Sequence, residues 1–239
     1  MFRTGFALGM VLLFGLARLA LPLRMIERAG WALVLRAFQV RVAVHGTPSV
    51  GGALMLANHV SWIDVVALGR VVPACFVAKA EVGHWPLIGA AARRIGCLFV
   101  DRGSRKGAQG VAVDIAARIR QGRGVIVFPE GTTGPGDRVL RFQSTLTGIA
   151  GSEPVVVQPV TLVYRTAHDR QTAAWLGDAA LLPHAVHLAR AGGITLELWF
   201  EPPFPATDRK LAARQSEAII AARLADRIGD QAEALKRAA

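Results

Sequence analysis

From Gln39 onward the chain repeats one pattern: a short apolar run, a stretch with helical spacing, then another apolar run. Runs of that length and composition read as strands buried on both faces, and helices between them are the crossovers that parallel strands require. Seven runs qualify, at 40–44, 53–57, 75–79, 97–101, 124–128, 155–164 and 194–200. Helical spacing falls at 64–70, 86–95, 104–121, 144–150, 183–190 and 209–236. The rhythm predicts an α/β fold, a mostly parallel seven-stranded mixed sheet flanked by helices. No long polar linker interrupts it, so residues 39–239 read as one domain.

In such sheets ligands gather beyond the carboxyl ends of the strands, where loops present polar groups on a rigid base. The residues at those positions are Asn58-His59, Ala80-Glu81, Arg102 and Pro129-Glu130-Gly131-Thr132. Within Asn58-His-Val-Ser-Trp-Ile-Asp64, a loop histidine precedes by five residues an aspartate in the first turn of a helix. The carboxylate can accept from Nδ1 and leave Nε2 as a base able to work near neutral pH. Ser61-x-x-Asp64 equally fits a capping box that starts the helix, and spacing alone does not separate the two readings. Glu130, in a glycine-rich loop, has the same two faces: a ligand contact or a cap on backbone amides.

Other chemistries lack their signatures. There is no G-x-S-x-G elbow and no G-x-x-x-x-G-K-[ST] phosphate loop. Cys75 and Cys97 sit in apolar segments without a C-x-x-C partner, which suits a reducing compartment and supports neither a disulfide framework nor a structural zinc. His184 and His187 are one helical turn apart, but no third ligand is apparent, so they read as helix-surface residues and no metal is expected.

Lys and Arg outnumber Asp and Glu by 28 to 17. Nucleic acid would suit that charge, but there is no zinc-finger spacing, no RNA-binding aromatic strand and no uninterrupted basic run. The chain is also 52% hydrophobic. Cationic and apolar together point to an anionic membrane surface. An apolar stretch from Thr4 to Ala17 is bracketed by Arg3 and Arg18; Gly15-Leu16-Ala17 comes close to a secretory cleavage site, and a single span stays open although Arg18 makes it costly. A second helix, 25–38, carries Met25, Ile26, Ala29, Leu33 and Ala37 near one face. Residues 1–38 therefore read as a two-helix membrane anchor.

Four blocks, His59-x4-Asp64, Gly96-Cys-Leu-Phe-Val-Asp101-Arg102, Phe128-Pro-Glu130-Gly131-Thr132 and Gln158-Pro159-Val160, together resemble the glycerolipid acyltransferase family in order and spacing. The resemblance implies transfer of a fatty acyl group from acyl-CoA or acyl carrier protein to a lysolipid hydroxyl, at the cytoplasmic face of the inner membrane. Its acceptor would be 1-acyl-glycerol-3-phosphate or a lyso-ornithine lipid. It implies no resident cofactor. His59 would be the general base and Asp64 its orienting partner. Asn58, Ser61, Arg102, Glu130, Gly131 and Thr132 would line the acceptor side, and Pro159 would shape the pocket beside the donor. Amides near Gly131 or at a helix N-terminus would steady the oxyanion. One departure is visible: the family commonly places a basic residue after Phe-Pro-Glu-Gly-Thr, whereas here Thr133-Gly134-Pro135-Gly136-Asp137 follows. Arg138 or Arg141 would have to supply the missing cation, or the acceptor carries an amino-acid head group. The competing reading from another class is a non-catalytic membrane adaptor built on the same fold.

Overall fold

A computed structural model describes residues 9, 24–86, 88–101, 105–151 and 154–238. The elements run α1 (Arg24–Ala37), β1 (Val40–His45), β2 (Leu54–Ala57), α2 (Trp62–Val71), β3 (Cys75–Lys79), α3 (Ile88–Arg94), β4 (Leu98–Val100) and α4 (Arg105–Arg120). Then follow β5 (Val125–Val127), β6 (Val155–Tyr164), α5 (Ala167–Ala173), α6 (Leu181–Arg190), β7 (Ile194–Phe200), β8 (Phe204–Ala206) and α7 (Arg209–Ala238). The sheet order is β1-β7-β6-β2-β5-β3-β4, with β8 pairing the start of β6. Strands β2 to β6 are mutually parallel, and β7 and β8 run antiparallel to β6.

Alternate residues of each strand feed two cores, as a two-sided sheet requires. Met55, Ile126, Val160 and Leu162 join α1, α2, α5 and α6 on one face. Leu54, Leu56, Val125 and Val157 join α4 and α7 on the other.

The sheet has eight strands where the sequence pattern predicts seven, because a short strand, β8, follows the last apolar run beyond Pro202 and Pro203. Val160 pairs with Phe200 and Val157 with Phe204, so two residues of β6 oppose three of the partner. Pro159, one of the two, has no N–H to give, and its carbonyl accepts from Glu201 N at 3.0 Å. The expected helix at 144–150 is instead a turn followed by a 3₁₀ segment, Gly148–Gly151, since two glycines disfavour a full α-helix. The missed helix, α5, starts with a reciprocal cap between Thr166 and Asp169.

No two-helix anchor is shown. The first expected anchor helix falls outside the described residues apart from Gly9. The second, α1, is a core element. It buries Val34 and Leu35, Phe38 just past its end is buried too, and its Trp31 packs where a Cβ on Gly69 of α2 would come within 2.9 Å of the indole. Of the face predicted to be apolar and membrane-directed, Ala29 is exposed and Leu33 is 38% exposed, whereas Ala37 packs against the core. Among the described residues no helix is long and apolar enough to cross a membrane.

Because Phe38 is fully buried and meets Trp62 edge-to-face at 5.2 Å, Phe38→Ala should destabilise the domain by about 3–5 kcal/mol. Denaturant unfolding checks this; a cost near zero would show that α1 is no part of the core.

Candidate active site

Three neighbouring strands deliver the polar groups to one edge of the sheet. Strand β2 leads into Asn58-His59, β5 leads into Phe128-Pro129-Glu130, and β6 ends at Tyr164. After Ala57 and Val160 the ladder between β2 and β6 stops. Asn58 continues it with its side chain: Nδ2 donates to Leu162 O at 3.0 Å, and Oδ1 accepts from Leu162 N at 2.8 Å. Asn58 is thus a stitch between strands, and at 1% exposure it is buried away from any substrate.

Beyond it the chain turns sharply into α2. Asp64 Oδ2 accepts from Val60 N at 2.7 Å and from Ser61 N at 2.8 Å, and Asp64 N donates to Ser61 O at 3.1 Å. The helix start and the dyad are therefore one structure, because the same oxygen lies 2.8 Å from His59 Nδ1. A carboxylate so placed can only accept, so Nδ1 carries the proton, and in the neutral ring the lone pair is on Nε2. Tyr164 OH donates to the other oxygen, Oδ1, at 2.6 Å. The His59 side chain is 17% exposed while Asp64 is 0%, so only the imidazole can meet a substrate. Ser61 is wholly buried, which removes it from the surface the resemblance assigned it.

Phe128 lies flat against the His59 ring, with centroids 3.9 Å apart at 17°, fixing the imidazole plane. Glu130 is buried, with Oε2 accepting from His59 N at 3.3 Å and Oε1 from Leu140 N at 3.1 Å. Of its two sequence readings, the cap on backbone amides is the one the hydrogen bonds display. Burial, against those two amides, pushes its carboxyl from the usual 4.5 up to about 8, and Asp64 and Glu217 push in the same direction.

The loop from Glu130 to Phe142 is tied to the histidine loop at several points. Gly134 N donates to His59 O at 2.7 Å, Thr133 Oγ1 donates to Trp175 O, and Trp175 N donates to Val60 O at 3.0 Å. Gly136 has φ +83°, and a Cβ there would lie 3.3 Å from the Val60 side chain. Thr133, standing where the family's pattern is basic, is thus spent on joining two loops.

Several expected contacts change character. Gly131 N donates to Phe128 O at 3.2 Å in a left-handed turn, so its amide closes the turn. Thr132 is exposed beside it. Pro159 is buried inside β6 and shapes the sheet rather than a pocket wall. Arg138 is exposed and pairs with Asp137 at 3.2 Å. Arg141 is exposed between two anchored amides, Leu140 N on Glu130 and Phe142 N on Glu217 Oε2 at 2.6 Å. Arg102 lies outside the described residues. His184 is turned inward, not onto the helix surface, and its Nδ1 accepts from Trp62 Nε1 at 3.0 Å. No group of three metal-ligating side chains occurs among the described residues.

Cys75 opens β3 and Cys97 precedes β4, at the opposite ends of their strands from His59. Burial pushes the Cys97 thiol up to about 12.

A model of the family described as Acyltransferase matches residues 41–163. The chain belongs to the acyltransferase family. A lyso-ornithine lipid O-acyltransferase of Brucella abortus is 37% identical over 203 residues, covering 77% of this chain and 76% of its own. Another, of Pseudomonas aeruginosa, is 37% identical over 204 residues, covering 83% and 78%. A 1-acyl-sn-glycerol-3-phosphate acyltransferase of Neisseria gonorrhoeae is 34% identical over 122 residues, covering 51% and 48%. The crystal structure of the 1-acyl-sn-glycerophosphate acyltransferase PlsC from Thermotoga maritima shares the fold, with TM-score 0.66, 20% identity and 94% of each chain covered. The matched span holds the whole His59–Asp64 loop, Phe128 and Glu130, and stops one residue short of Tyr164.

Because the folded Glu130 carboxyl is raised above its unfolded value, the stability it contributes is fully present below about pH 4.5 and is lost as pH rises through about 8. Denaturant unfolding at pH 5, 7 and 9 should show this decline in the parent and a shallower one in Glu130→Gln, whatever the variant's baseline stability. Identical slopes would mean that Glu130 does not hold a proton across this range.

Proposed function

We propose that this chain is a lysolipid O-acyltransferase in which His59 is the general base and Asp64 orients it. The observation that carries the reading is the buried Asp64 carboxylate on Nδ1, which leaves Nε2 of a partly exposed imidazole as the proton acceptor. The lysolipid hydroxyl gives its proton to Nε2 as its oxygen attacks the thioester carbonyl. The carbon–sulfur bond then breaks, and the imidazolium returns the proton to the departing thiolate. No acyl-enzyme is needed, in keeping with the position of both cysteines at the far ends of their strands.

A lyso-ornithine lipid is the acceptor we favour over lysophosphatidate. The relatives of that name align over most of both chains, whereas the lysophosphatidate enzyme of Neisseria gonorrhoeae aligns over about half of each. The loop supports the same choice. Its family-basic position is Thr133, committed to Trp175, and the exposed Arg138 pairs with the neighbouring Asp137. Arg141 is then the cation we assign to a head-group or donor phosphate. The donor is an acyl-CoA or an acyl carrier protein, with no resident cofactor.

Removing the base should lower turnover by roughly 100- to 10,000-fold while acceptor binding persists. The test is a panel of lyso-ornithine lipid, lysophosphatidate and other lysolipids with both donors, comparing the parent with His59→Ala. Diacyl product of ornithine lipid from the parent alone is the expected result. Equal product from His59→Ala would overturn the enzymatic reading of His59, and no product from any pair would favour the adaptor.

The same proposal seats the enzyme on the cytoplasmic face of the inner membrane. The outward Ala29 and Leu33 of α1, beside exposed Arg28 and Arg36, support it, since each arginine near anionic lipid contributes about 1 kcal/mol. Because α1 belongs to the core, a test of anchoring must spare it. Deleting residues 1–23 should leave a folded domain that sediments far less with anionic vesicles, the remainder weakening further as salt rises. Undiminished sedimentation at high salt would place the anchor elsewhere.

A further inference from the structure

We propose that Tyr164 is a positioning residue for the acyl transfer, its hydroxyl holding the Asp64 carboxylate in the rotation that aims His59. The inference rests on the reading of His59 as the base. Three donors converge on Oδ2, and all come from within five residues: His59 Nδ1, Val60 N and Ser61 N. They tie that oxygen to its own loop. Among the described residues Oδ1 takes its hydrogen bond from Tyr164, at 2.6 Å and across a hundred positions of sequence. That bond references the carboxylate to the sheet, because Tyr164 closes β6 in register with Leu196 of β7.

Both partners are fully buried, so water cannot replace the phenol. Burial and the adjacent Asp64 hold the phenol well above its usual range, so it remains a donor at every working pH. Behind it, Arg170 Nη1 donates to the Tyr164 carbonyl at 3.3 Å. The charged or titratable neighbours of this node are His59, Glu130 from the β5 loop with Glu217 of α7 beyond it, and Asp169 and Arg170 of α5. A partner that fixes the orientation of a catalytic group acts on turnover more than on binding, and typically matters by roughly 10- to 100-fold.

Tyr164 is the sole tyrosine of the chain, so its hydroxyl can be altered in two opposite ways without touching another. Tyr164→Phe deletes the donor. Growth on 3-fluorotyrosine acidifies it and strengthens the bond. With the donor gone, more charge stays on Asp64, the imidazolium is favoured, and the low-pH limb of the kcat/KM profile moves up. With the donor strengthened, the limb moves down.

The experiment measures pH profiles of the untagged full chain and both altered forms with lysolipid acceptor and thioester donor, after thermal unfolding confirms that each is folded. The expected result is a kcat roughly ten-fold lower in Tyr164→Phe, acceptor KM within about two-fold, and limbs displaced in opposite directions. Parent-like kcat and profiles in both forms, or limbs moving the same way, would overturn the assignment and leave Tyr164 a packing residue. If Tyr164→Phe does not fold, the fluorotyrosyl protein decides alone: a lowered limb supports the role and an unmoved one refutes it. Failure of the base reading is told apart by His59→Ala, which would then retain activity.

Discussion

A carboxylate with no access to water has to find its solvation in the protein, and Asp64 finds it in four donors. Burying such a charge is costly unless it is paired and hydrogen-bonded. Each donor that meets that need also fixes something else. The amides of Val60 and Ser61 bend the chain into α2, Nδ1 of His59 takes its tautomer, and the phenol of Tyr164 ties the loop to β6. Fold and dyad share the same atoms, so the imidazole of His59 cannot be moved without disturbing the start of a helix.

A second buried carboxyl group bridges backbone amides in the same way one strand away. Glu130 joins His59 N to Leu140 N, and Glu217 holds Phe142 N from α7. The loop after β5 is thereby pinned at both sides of Arg141. Thr133 and Gly134 close it onto the histidine loop. A basic residue in place of Thr133 could not donate a short hydroxyl bond to Trp175, so the departure from the family's pattern has a structural use here.

Much of this is visible in the chain as written. Strand runs and helix spacing place the sheet and its order of elements, because apolar periodicity is local. The eighth strand escapes it, since Pro202 and Pro203 interrupt the run and the pairing of Phe204 with Val157 is a matter of register. Helix α1 is legible as a helix, but not in which of its apolar faces turns inward; that depends on α2 lying beside it. Tyr164 escapes because its polar tip is the last residue of an apolar run, where it reads as strand.

By itself the sequence determined the α/β rhythm, the helix cap and the five-residue spacing that brings His59 to Asp64, since these interactions close within one turn of chain. Only the tertiary structure decided what Asn58, Glu130 and Tyr164 do. Their partners lie 104, 71 and 100 residues away, at Leu162, His59 and Asp64. Such bonds exist only once β6, β2 and β5 lie side by side in one register, and no local pattern encodes that register.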